Sequence, residues 1–159
     1  MTPSLQHDSL DRLAAAARSG NAASMAGLYL AIRPMVVQRA RAELDPAEAE
    51  SVADAACFAV VNSVPDKAAP DEPLLHLVYS TTSRMVARTG AESRTRLPAG
   101  IDVLPEGERE VLILRVIVGL DADDTAIALG NTRSQVLLAQ HRALRTLGVS
   151  HGGYGEVAP

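Results

Sequence analysis

The turn in "IALGNTRSQVLLAQHRALRTLG" constrains this chain more than any other stretch. Ala126 and Leu129 close an apolar-periodic run, Gly130 follows, and Thr132 and Gln135 then fit the capping-box pattern S/T-x-x-E/Q. A new helix is predicted to start at Arg133. Upstream, Pro105 to Val118 is closed by Gly119 and Asp121 to Leu129 by Gly130, while downstream Thr132 to Leu147 is closed by Gly148. Helix, helix, tight glycine turn, helix is the organisation of a helix-turn-helix domain. Ala126 and Leu129 on one helix, with Val136 and Ala143 on the next, are expected to form its small angled core.

Placed at about 100° per residue, Val136, Ala139, Gln140, Ala143, Leu144 and Leu147 fall in the buried half of the last helix or at its edge. Ser134, Leu138, His141 and Arg145 fall opposite, Arg133 and Gln135 lie at the helix start, and Leu137 and Arg142 lie on the two flanks. Such a helix aims its N-terminal end into a major groove. Arg and His can contact phosphates and Arg can pair with guanine edges, whereas Leu meets only a thymine methyl or another apolar surface. Gln135 suits capping or base reading. Arg142 and Arg145 suit a solvated face or DNA, and Leu138 suits a protein contact, a core edge or a base.

The rest of the chain reads as helices. Of its 159 residues 47% are hydrophobic and only 3% aromatic, and alanine-rich tracts such as "RLAAAARSG" and "AESVADAACFAVV" favour helix over sheet. Leu10, Leu13, Ala14 and Ala17 share one helical face, with Asp8 or Ser9 as cap candidates and Gly20 as the stop. Ala22 to Leu44 stays helical, but Pro34 is expected to kink it or split it into two helices in tandem. Asp45 as N-cap and Pro46 at the first helical position open a helix that stops at Pro65. A fourth runs from Leu74 to Arg88 and ends near Gly90. "TGAESRTRLPAGIDV" is polar and aperiodic, the best linker in the chain, and its roughly 15 residues could span about 50 Å fully extended. The division expected is a helical domain over residues 8–90, a linker over 91–103, a helix-turn-helix domain over 104–148 and a flexible tail over 149–159.

Several function classes recede. The net charge of -4 argues against coating nucleic acid by bulk positive charge, so DNA contact must come from a local patch. No apolar run reaches the roughly 18 residues of a membrane span and the N-terminus lacks a signal-peptide pattern, so a cytoplasmic protein with no membrane contact is expected. The lone Cys57 has no pairing partner and fits a buried small hydrophobe. His7, His76, His141 and His151 are scattered, and Asp121, Asp123 and Asp124 read as acids at a helix N-terminus, so no enzyme, metal or cofactor is expected.

"LPEGEREVLILRVIVGLDADDTAIALGNTRSQVLLAQHRALRTLG" resembles region four of the extracytoplasmic-function (ECF) sigma factors of bacterial RNA polymerase, actinobacterial type, through "LP" then "REVL", "ALG" at the turn and "QHRAL". "IRPMVVQRARAEL", "AESVADAACFAVVNSVP" and "PLLHLVYSTTSRMVA" resemble region two more weakly, and together the likeness covers roughly Leu10 to Gly148. The resemblance implies an all-α protein, a region-two-like bundle joined by a short linker to a region-four-like helix-turn-helix domain. It implies binding to RNA polymerase core and promoter DNA and transcription initiation without catalysis, with an anti-sigma factor or other regulatory protein as a further partner class.

Carried over residue by residue, Glu50, Ser51 and Asp54 take the polymerase-docking positions. Arg133, Ser134, Gln135, His141 and Arg142, with Arg145 beside them, take the minus-35 reading positions. Arg84, Arg88, Arg94 and Arg96 lie where minus-ten strand contacts begin, with Tyr79 as the one aromatic for stacking on an unpaired base. Leu137 stands where the reading helix commonly carries Arg or Lys. The alternative is a divergent sigma-like protein that binds a protein partner through Leu137 and Leu138, or binds DNA, without initiating transcription.

Overall fold

A computed structural model describes residues 4–65, 72–92 and 100–151. They form α1 (Ser4–Ala17), α2 (Ala22–Arg41), α3 (Pro46–Ser63), α4 (Leu74–Glu92), a 3-10 turn (Ile101–Val103), α5 (Glu106–Leu112) widening into a π-helical end (Ile113–Val118), α6 (Ala122–Leu129) and α7 (Arg133–His151), with no strand among them.

The caps follow from sequence. The Asn21 side chain accepts from the amides of Ala23 and Ser24 at the start of α2, and Asp45 accepts from Glu48 N at the start of α3. The start of α4 is tied to α1 by a longer reach, Leu74 N donating to the Asp11 carboxylate at 3.1 Å. The first helix begins at Ser4, upstream of the cap candidates Asp8 and Ser9, which both lie within it.

Three expected breaks are absent. Helix α2 runs unbroken through Pro34, which sits on its exposed side. The carbonyl the ring leaves unpaired, four residues back at Leu30, belongs to a residue 70% exposed, so water can satisfy it. Helix α4 passes Gly90 to Glu92, and α7 passes Gly148 to His151, taking in the first residues of the expected tail. A glycine ends a helix when the chain must turn there, and neither position has the positive φ of Gly119 or Gly130.

Helices α1 to α4 pack into a bundle, with α4 between α3 and α6. Leu74, Leu75, Val78, Tyr79, Thr82 and Val86 are buried along one continuous arc of about 140°. The arc is this broad because α4 packs against both halves of the molecule. One core cluster joins Leu28, Ile32, Val60, Val78 and Tyr79 to Leu114, Leu120 and Ala128 of the helix-turn-helix half. Inside that half Ala126, Leu129 and Val136 pack together with Val111 and Ala122, as expected. Ala143 instead joins Leu104 and Leu112 in a separate cluster, because α7 crosses α5 further along its length.

Candidate nucleic-acid interface

The turn into α7 is built as its residues suggest. Gly130 is left-handed at φ +66, and Asn131 N reaches back to Ala126 O at 2.9 Å to close α6. The capping box is reciprocal, Thr132 N donating to Gln135 Oε1 at 2.8 Å and Gln135 N to Thr132 Oγ1 at 3.1 Å. This commits the carbonyl end of the Gln135 side chain to the turn and leaves its amide to face outward.

On α7 Val136 and Ala143 are fully buried, and Ala139, Gln140 and Leu147 are half-buried beside them. Arg133, Ser134, Gln135, His141, Arg142 and Arg145 are all exposed on a helix whose sequence contains no acidic residue. Arg133 pairs with Asp123 of α6 at 2.7 Å, both side chains being more than half exposed, so the pair exchanges readily for a phosphate. Leu137, Leu138 and Leu144 are 44%, 49% and 51% exposed. Leu144 therefore lies outside the core, contrary to its expected place at the buried edge. Seven residues apart, Leu137 and Leu144 sit within about 20° of each other on one flank, and Leu138 lies about 100° away beside Arg145. Arg115 steadies that flank, its Nε donating to Gln140 Oε1 at 2.9 Å and its Nη1 to Leu120 O at 2.8 Å.

The docking candidates lie along the outer side of α3. Ser51 and Asp54 are exposed and Glu50 is half-buried, but both carboxylates have partners on α2. Arg33 donates to Glu50 at 2.6 Å and to Asp54 at 3.1 Å, Arg41 donates to Glu50 at 2.8 Å, and the Tyr29 hydroxyl donates to Asp54 at 3.1 Å. The Arg33 hydrogen bond holds the Glu50 carboxyl below the usual carboxylate range, and donating to Glu50 and Asp54 raises Arg33 above its ordinary value. Sequence reading found the acids and missed Arg33, Arg41 and Tyr29. Their signal is present, since basic residues on α2 face acidic ones on the antiparallel α3. One turn beyond Asp54, Phe58 is exposed while Cys57 is buried, and burial pushes the Cys57 thiol up to about 11.

On α4, Arg84 and Arg88 are exposed one turn apart. Arg88 and Ser51 border the same shallow hollow, of about 300 Å³, whose floor includes Val52, Ala55 and Met85. The docking and strand-contact candidates are thus contiguous. Arg94 and Arg96 lie outside the described residues. Tyr79 is buried, 1% exposed, and its hydroxyl has no hydrogen-bond partner. Burial raises its pKa above the ordinary phenol value. No cluster of His, Cys, Asp or Glu suited to a metal occurs among the described residues, where Asp121 caps α6 by accepting from Asp124 N at 2.7 Å.

The described residues thus make an all-α fold with a capped, acid-free last helix and an acidic, arginine-braced face on α3. No family model matches the chain. It is 31% identical over 90% of its length, and 84% of theirs, to the curated ECF RNA polymerase sigma factor SigD of Mycobacterium bovis and of Mycobacterium tuberculosis. A 44-residue stretch is 54% identical to the ECF RNA polymerase sigma factor ShbA of Streptomyces griseus, 28% of this chain and 23% of that one. Among solved structures it shares its fold with CnrH in complex with the cytosolic domain of CnrY, at a TM-score of 0.68 and 24% identity over 90% of this chain and 97% of that one. The chain belongs to the ECF RNA polymerase sigma factors.

Proposed function

We propose that the chain works as an initiation factor through two surfaces, binding core polymerase with one and promoter DNA with the other, and that it acts by binding and not by catalysis. The observation that carries this reading is α7, whose outward face bears Arg133, Ser134, His141, Arg142 and Arg145 and no acid. These side chains take the minus-35 contacts, Arg142 and Arg145 neutralising phosphates while Arg133 and Ser134 reach base edges near the helix start. Gln135 contributes its outward amide.

Glu50, Ser51 and Asp54 form the polymerase-docking face, with Arg33 and Arg41 setting the orientation of its carboxylates. Arg84 and Arg88 take the minus-ten strand, with Arg94 and Arg96 continuing the run. The functional division follows residues 8–90 and 104–148, joined by 91–103. No described helix is long and apolar enough to cross a membrane, and a cytoplasmic site of action follows from the partners proposed. Gel filtration with core polymerase tests the docking face. Co-elution that Glu50→Lys with Asp54→Lys abolishes is expected, and failure of the unaltered chain to co-elute contradicts the reading.

One observation favours a second reading, in which α7 meets a protein partner such as an anti-sigma factor. Three leucines on a reading helix, each near half exposed, are more apolar surface than DNA contact uses. Leu137→Lys with Leu138→Lys then abolishes partner capture, and unchanged capture counts against it.

A further inference from the structure

The three exposed leucines of α7 do not make one patch. Leu137 and Leu144 share the flank beside Gln140 and its partner Arg115, whereas Leu138 lies on the face turned away from the domain. With the fully buried Val136 and Ala143 marking the inward direction, about 100° per residue puts Leu138 within roughly 30° of straight outward. One turn away on either side are Ser134, Gln135, His141 and Arg142, and two turns on is Arg145, all exposed and none apolar. A single exposed leucine is ordinary by itself. Here its place at the centre of a polar and basic face decides what it can meet.

Depth follows from the helix rise. At about 1.5 Å per residue, Leu138 stands roughly 8 Å along the axis from Arg133, and Arg145 roughly 10 Å further on. A major groove about 12 Å wide admits the first part of such a helix and leaves the later turns at its rim. Leu138 then falls among base edges, and Arg142 and Arg145 fall beside phosphates.

Among base edges a leucine has one favourable neighbour, the C5-methyl group of thymine. Against guanine, adenine or cytosine it covers hydrogen-bonding atoms without pairing them, which costs affinity. Gln135, one turn before it, narrows the choice in the same direction. A glutamine reads adenine with both ends of its amide, accepting from N6 and donating to N7. Here the carbonyl end accepts from Thr132 N at 2.8 Å, so two-ended adenine reading is closed and only the N–H end is left to donate. Thymine O4, beside the methyl group, accepts from such a donor.

We infer that Leu138 is a specificity-determining residue of the promoter contact, selecting thymine in the upstream element through its C5-methyl group, with the Gln135 amide donating to a thymine O4. This rests on the initiation reading above, in which α7 enters the major groove.

The test uses core polymerase assembled with the full chain. Duplexes that the assembly holds and core alone does not are selected from a random library. Each thymine of the preferred upstream element is then replaced in turn by deoxyuridine, which pairs as thymine does and lacks only the methyl group. One replacement should weaken binding by the unaltered chain about four-fold, the effect of burying one methyl-sized group. Leu138→Ala should bind the thymine and deoxyuridine duplexes equally, while Leu137→Ala, altered on the other flank, should keep the difference. An upstream element without thymine overturns the assignment. So does equal binding of every deoxyuridine duplex by the unaltered chain, or a methyl effect that persists undiminished in Leu138→Ala. Selection of no sequence beyond those held by core alone overturns the initiation reading instead, and the assignment with it.

Discussion

At Gln135 two roles meet in one side chain, and the geometry divides them. The carbonyl oxygen caps Thr132 N and the amide remains free. Thr132→Ala should therefore cost about 1 kcal/mol of stability in denaturant melts and also weaken DNA binding by fraying the reading end of α7. Arg142 and Arg145 make no such double contribution. Each, changed to Ala, should lower affinity for all sequences alike and flatten the salt dependence by about 0.9 in log–log slope, measured by titrating duplex DNA at several salt concentrations. On α3, Glu50 has a folded pKa below its unfolded value near 4.5, so its contribution is present above that value and is lost as pH falls through the folded pKa. The melting temperature of Glu50→Gln should accordingly fall below that of the unaltered chain at about pH 7 and converge with it as pH falls through the folded value of Glu50. These residues differ in how legible they were. A capping box or a run of arginines is written locally, whereas the pairing of Arg33 with Glu50 depends on how two helices pack.

Among the helices, α3 and α6 were the easiest to read, because Asp45–Pro46, Asp121 and Gly130 mark their ends with residues that have few other uses. Helix α2 was harder. Pro34 signals a break, but its place on the exposed side lets the helix continue with one carbonyl hydrated. Pro34→Ala should restore that hydrogen bond and stabilise the fold by about 1 to 3 kcal/mol, read as a rise in the denaturation midpoint with unchanged helix content. The breadth of the buried arc of α4, which takes in Leu75, Tyr79 and Thr82, was harder to read, since it depends on the helix-turn-helix half packing against α4 as well as the bundle. Leu144 failed in the opposite direction. It has the phase of a core-edge residue, and no element among the described residues buries it.

Across the molecule, the all-α class and the helix-turn-helix were legible because they rest on short-range signals. The joining of the two halves into one core was not, because Leu28 and Tyr79 meet Leu114 across long stretches of chain. Arg39 makes the same point, as an arginine reads as solvated until the acids that bury it are found. Leu114→Ala should cost about 2 to 5 kcal/mol and loosen both halves together, seen as coincident shifts by helix content and by hydrogen exchange in α2 and α7. The proposed function has this chain direct core polymerase to promoters through the basic face of α7. It is tested with core polymerase, with and without the chain, on fragmented genomic DNA with transcript 5′ ends sequenced. A set of start sites that needs the chain and disappears with Arg142→Ala and Arg145→Ala together is expected, and start sites identical with and without the chain overturn the proposal.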